Sequence, residues 1–212
     1  MKKILSLIVI VLIVSCTKKS SDPVQQDPGM LEGYLKENPG ITVQKTTSSL
    51  ISYRNGYATS RGYHFKPLKD IKITDIGGKI AEKGTFKIKI SNIDTGWSKD
   101  NGWTDILTDS ITITDISSFQ YKTVSKEIIL NADKNYVISY FNLSHNSVYD
   151  AGSGLQNEYI GMPLKINDIE IERIYWTYDM ILDGVYQSME QGFTNGLGLF
   201  RGLVDFKYEL VQ

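Results

Sequence analysis

The chain has little of what most chemistry requires. One cysteine and two histidines occur in 212 residues. A single thiol cannot close an internal disulfide, so no cross-linked framework is available. His64 and His145 stand far apart, with no His or Cys partner at ligand spacing, which argues against a zinc centre. Both read as surface or strand-edge histidines. No Gly-x-Ser-x-Gly elbow is present, and Gly152-Ser153-Gly154 reads as a flexible loop, because no lysine and helix follow it to cradle phosphate. Basic residues do not predominate either: Lys+Arg number 23 against Asp+Glu 24, a net charge of −1. With no basic block, nucleic acid is excluded as a partner. One apolar run occurs near the start, and it is too short to span a bilayer, which takes about 20 residues.

That run extends from Ile4 to Val14. Lys2 and Lys3 precede it, and Ser15 and Cys16 follow. A positive head, an apolar middle and a small residue before the cut describe a secretory signal. The ending Ile13-Val14-Ser15-Cys16 resembles the bacterial lipoprotein signal, which implies that Cys16 is lipidated and becomes the first mature residue. Residues 1–15 are then the signal peptide. Residues 16–40 hold the lipidated cysteine, a tether and a short helix, and 41–212 form the body. Thr17 to Gly29 is rich in Ser, Lys, Gln, Asp and Pro without an apolar period, as befits a tether. Thr17 rather than Asp follows the cysteine, which favours the outer membrane.

Across the whole chain, thirteen tyrosines, eighteen glycines and abundant Ile, Thr and Ser favour strands and turns. Thr85 to Ile90 alternates cleanly, with Phe86, Ile88 and Ile90 on one face and Lys87 and Lys89 on the other. Ile71 to Ile76, Ile106 to Ile113, Tyr121 to Leu130, Tyr136 to Phe141, Ile166 to Tyr178 and Gly202 to Leu210 read as further strands. Asn131 to Asn135 is turn chemistry. Met30 to Asn38 suits a short helix stopped by Pro39-Gly40. The expected fold class is all-β, an antiparallel sandwich of jelly-roll-like form.

Gly62-Tyr63-His64-Phe65-Lys66-Pro67, Ile71 to Gly77, and Gly84 to Ile88 resemble the opening of an uncharacterised bacterial domain family whose members accompany secreted carbohydrate-active enzymes. Leu130 to Tyr140 is similar to that family's Leu-x-Ala-Gly-x-x-Tyr-x-Val-Ser-Tyr pattern, with Asp133 where glycine is usual. Asp183 to Tyr186 and Leu203 to Phe206 resemble its closing segments, while Ile169 to Asp179 departs from it. The resemblance implies a jelly-roll sandwich and supplies no catalytic residue.

The candidate ligand site is the segment Ile93 to Thr104, which carries Trp97, Asp100, Asn101 and Trp103 among glycines. An exposed indole stacks on the C–H face of a pyranose while Asp and Asn take its hydroxyls. The alternative is that these rings cap the core, since tryptophan is usually mostly buried. Trp176 and Tyr178, on one face of a strand, form a second candidate. Asp94, Asp100, Asp105 and Asp109 invite structural calcium, although their spacing matches no Asp-x-Asp-x-Asp-Gly loop. No other cofactor is expected. The leading functional expectation is a non-catalytic, lipid-anchored envelope protein that binds glycan or a partner protein through aromatic loops. A structural lipoprotein docking on an outer-membrane protein is the second reading. A polysaccharide hydrolase is the third; Glu158, Glu170 and Glu172 are available, but nothing singles out a pair.

Overall fold

The computed structural model describes residues 27–47, 57–95, 103–143, 147–153, 162–182, 185–194 and 200–211. Among these residues are one helix, α1 (Met30–Glu37), and thirteen strands: β1 (Ile41–Thr47), β2 (Tyr57–Pro67), β3 (Ile71–Lys79), β4 (Gly84–Asn92), β5 (Thr104–Ile113), β6 (Gln120–Leu130), β7 (Tyr136–Leu143), β8 (Ser147–Ser153), β9 (Leu164–Ile166), β10 (Ile169–Leu182), β11 (Val185–Thr194), β12 (Phe200–Arg201) and β13 (Leu203–Leu210). Every pairing between them is antiparallel. The fold is therefore the all-β sandwich that the alternating sequence implies.

One layer runs β11-β10-β2-β7-β4-β5, with β9 paired to β10; two three-stranded sheets, β1-β8-β12 and β13-β3-β6, oppose it. Those two sheets meet where β12 passes into β13. Gly202 makes the kink, at φ +75°, and a Cβ there would lie 2.5 Å from the Tyr140 ring. Glycine is required on both counts. The chain crosses between layers from β2 to β3, β3 to β4, β5 to β6, β6 to β7 and β7 to β8, which buries one face of each strand.

Period-two patterning decides which face is buried. Phe86, Ile88 and Ile90 of β4 and Tyr136, Ile138 and Tyr140 of β7 point inward, joined by Tyr63 and Phe65 of β2 and Ile73 and Ile76 of β3. Rings form the centre: Phe65 lies 5.1 Å from Phe206 and 6.0 Å from Tyr63, and Tyr63 meets Phe200 edge-on. Burying rings of this size is the main stabilising term.

The helix ends before Pro39, where the sequence places its stop. Its N-cap, Gly29, offers no side chain, so the first turn needs donor partners from elsewhere. Asp205 of β13 supplies them, accepting from the backbone N–H of Leu31 and of Glu32, each at 2.9 Å. Gly152 and Ser153, expected in a loop, belong instead to β8, opposite Thr42 and Ile41 of β1. Gly154 lies outside the described residues. Pairing with β1 on one side and β12 on the other orders a segment whose own composition favours a turn. Among the described residues no helix is long and apolar enough to cross a membrane.

Candidate functional site

The large sheet has an outward face as well as a core face, and its registers place the residues row by row. Arg173, His64, Val137, Ser91 and Asp105 follow one another across β10, β2, β7, β4 and β5; Tyr175, Gly62, Ser139 and Lys89 form the next row across the first four of these. Most outward positions of a sandwich are wet, but here Ile93, Val137 and Tyr175 make a second apolar cluster, with Trp103 packed against it. Tyr175 is only 1% exposed. The Trp103 and Tyr175 rings lie 5.7 Å apart at 49°. Trp103 itself is half-buried. It neither fills the sandwich core nor projects from a loop tip.

Beside the indole opens a cleft of about 260 Å³ lined by Ser60, Lys89, Ser91, Trp103, Asp105, Val137, Ser139 and Tyr175. Its floor is made of short hydroxyl side chains, since larger ones would fill the space. On its wall Asp105 accepts from Ser91 Oγ at 2.7 Å and pairs with Lys89. Residues 103 and 105 project from the same side of the chain, so indole and carboxylate face the same space. Concave, part-apolar surfaces with a few convergent polar groups are the usual form of a ligand site, and this one lies just below the common range of about 300–1,000 Å³.

Trp97, Asp100 and Asn101, expected beside Trp103, lie outside the described residues, as does Cys16. Trp176 and Tyr178 have their backbones in β10, opposite Arg61 and Thr59 of β2; their side chains are outside what is described. Sequence reasoning did not find Tyr175 as the partner of Trp103, nor the serine floor. Its position two residues before Thr177 on an alternating strand was the available signal, but the strand it pairs with could not be read locally.

The calcium expectation is not met by shared geometry. Asp94 bonds Asn135 and pairs with Lys134, Asp105 pairs with Lys89, and Asp109 pairs with Lys122. Each carboxylate is engaged by a different cation, and Asp100 is outside the described residues. No group of three or more His, Cys, Asp or Glu able to hold a metal occurs among the described residues.

His64 is buried, at 1% exposure, and not at a surface or strand edge; His145 lies outside the described residues. The Nε2 of His64 lies 3.0 Å from Asn135 Oδ1. Asn135 Nδ2 donates to Asp94 Oδ1, so Oδ1 of the amide must accept, and the proton is assigned to Nε2 of the ring. Burial pushes the His64 pKa down to about 4, against the opposing bond from Asn135. The ring is neutral above that pH, and this chain of contacts links β2, the turn before β7 and Asp94 just beyond β4.

Glu170 and Glu172 both contact Lys66, at 3.0 and 3.3 Å. Lys66 holds the Glu170 carboxyl below its usual range. A glycosidase needs one carboxyl kept protonated, and the lysine acts in the opposite sense on Glu170. Glu158 lies outside the described residues.

A larger groove, about 930 Å³, runs between α1 and the layer formed by β13 and β3. Three of its acidic lining residues are already engaged: Asp168 pairs with Lys69, Glu209 with Lys72, and Asp75 accepts from Thr74 and Thr123. The cleft at Trp103 is the better candidate, because an aromatic surface and polar groups converge there. Comparison with known proteins finds no matching family model, no similar curated protein and no similar solved structure.

Proposed function

We propose that this protein is a lipid-anchored lipoprotein of the cell envelope whose sandwich binds glycan, without catalysis, on the outward face of its larger sheet. The observation that supports this most is the half-buried Trp103 indole, propped on Tyr175 beside Asp105 and Lys89 over a floor of serines. A propped ring is rigid, so little entropy is lost when a sugar stacks on it. Asp105, Lys89 and the serines supply the donors and acceptors that orient hydroxyls. The resemblance to a family found beside carbohydrate-active enzymes agrees with this reading, as does the lipoprotein-like signal ending at Cys16.

A glycan array probed with the detergent-solubilised chain tests the function. Binding to a defined sugar that is lost in Trp103→Ala, with the fold retained, is expected. An array blank for both proteins would remove the glycan reading and favour a protein partner. For the anchor, Cys16→Ala is expected to move the protein from the detergent phase to the aqueous phase; persistence in detergent would refute lipidation as its means of attachment.

A further inference from the structure

The chemistry of the cleft wall narrows the ligand further, and this inference rests on the glycan reading. Among the described lining residues there is one cation, Lys89, and one anion, Asp105, and they are paired with each other. Both remain reachable, at 42% and 43% side-chain exposure. Ser91 Oγ donates to the other carboxylate oxygen at 2.7 Å, which fixes the carboxylate's plane. The result is an acceptor and a donor side by side, on adjacent strands, next to an indole face.

We propose that this cleft takes an uncharged pyranose ring through a vicinal diol. Two hydroxyls on neighbouring ring carbons present one O–H to Asp105 and one acceptor lone pair to Lys89, while the C–H face of the same ring lies on Trp103. The pairing needs no net charge on the ligand. A uronic acid or sulfate ester would place its anion beside Asp105, and could reach Lys89 only by competing with a carboxylate that already holds it. The floor supports the same conclusion: Ser60, Ser91 and Ser139 are neutral, short and nearly buried.

The experiment compares binding of the full chain, in detergent, to immobilised neutral polysaccharides, uronic-acid polysaccharides and sulfated polysaccharides. A neutral polysaccharide whose diols have been cleaved with periodate and reduced with borohydride is included. Binding confined to the neutral set, and lost after periodate, is the expected result. Asp105→Asn should weaken neutral-sugar binding about tenfold, the size of a lost charge-assisted hydrogen bond. It should also raise binding to the uronic set, because Lys89 is then uncompensated. Equal binding to charged and neutral polymers, or survival of binding after periodate, would overturn the diol inference and leave the glycan function standing. No binding to any polymer would overturn both.

Discussion

Trp103 and Tyr175 are in contact, yet the same truncation at each has different consequences, because one side chain is exposed to solvent on one side and the other is enclosed. Tyr175→Ala would empty a site that is 1% exposed, beneath the indole. Large-to-small changes of that kind cost about 3–5 kcal/mol. Trp103→Ala removes a half-buried ring and one aromatic pair, worth about 0.5–1.5 kcal/mol beyond area burial. The expected outcome is that Trp103→Ala loses sugar binding with a modest fall in melting temperature, while Tyr175→Ala loses both binding and several kcal/mol of stability. Equal, large destabilisation by the two variants would assign Trp103 to packing alone. Residue type alone made Trp103 legible as an aromatic with polar neighbours. It could not show that the ring leans on a tyrosine seventy-two positions away, because the register of β10 on β2 and of β7 on β4 decides that contact. Asp133 is another residue whose role was half-legible: Asn131 to Asn135 reads as a turn, and Asp133 occupies it at φ +57°, a conformation that favours glycine and that Asp tolerates better than most residues.

At the scale of elements, long alternating strands were readable and short or glycine-rich ones were not. β4 and β7 declare themselves through Phe86 to Ile90 and Tyr136 to Tyr140. β8 does not, since Asp150-Ala151-Gly152-Ser153 has turn composition and becomes a strand only through its two neighbours. The helix was readable from its stop signal, but its start depends on β13. Asp205, Tyr121 and Glu32 meet above Gly29. The Tyr121 hydroxyl lies 2.8 Å from Asp205 Oδ2 and 2.9 Å from Glu32 Oε2, and it accepts from Gly29 N–H at 3.2 Å. One phenolic proton cannot serve two carboxylates at once, so the arrangement is satisfied when Asp205, whose pKa burial raises, carries a proton. Lys36 pairs with Glu32 at 2.8 Å, while Lys207 lies over the Tyr121 ring. Space is as tight as the proton count, for a Cβ on Gly29 would lie 2.3 Å from both Asp205 Oδ2 and the Tyr121 hydroxyl oxygen. Gly29→Ala is therefore expected to undock the first turn, at a cost of about 1–2 kcal/mol, comparable to removing a strong N-cap. Hydrogen exchange checks it: the amides of Leu31 and Glu32 should exchange much faster in the variant, with the β4 and β7 amides unchanged. Unaltered exchange at those two amides would show that α1 docks without the cap.

For the whole molecule, two buried groups oppose each other as pH changes. Burial raises the Asp205 pKa from 3.8 to about 6, against the bonds from Leu31, Glu32 and Tyr121. The native state therefore holds that proton more tightly than the unfolded chain does, and stability rises as pH falls from about 6 to about 4. The full effect is about 3 kcal/mol at 1.36 kcal/mol per unit. His64 acts in the other direction, because burial lowers its pKa from 6.5 to about 4. The unfolded ring takes up a proton first, so stability falls over nearly the same interval by about 3 kcal/mol. The two slopes offset between about pH 4 and 6, and the intact protein should show a nearly flat urea midpoint there. Below that window the carboxylates held low by partners, Asp109 by Lys122 and Glu170 by Lys66, become protonated and the fold weakens. Asp205→Asn keeps an acceptor for one of the two helix N–H groups but cannot titrate, so beneath a uniform loss its urea midpoint should drop steadily from pH 6 to 4 as the histidine slope acts alone. His64→Gln should show the mirror image, gaining stability over the same range. If the Asp205→Asn curve ran parallel to that of the unaltered protein, the helix cap would be ionised throughout, and the proton shared among Asp205, Tyr121 and Glu32 would have no part in docking α1.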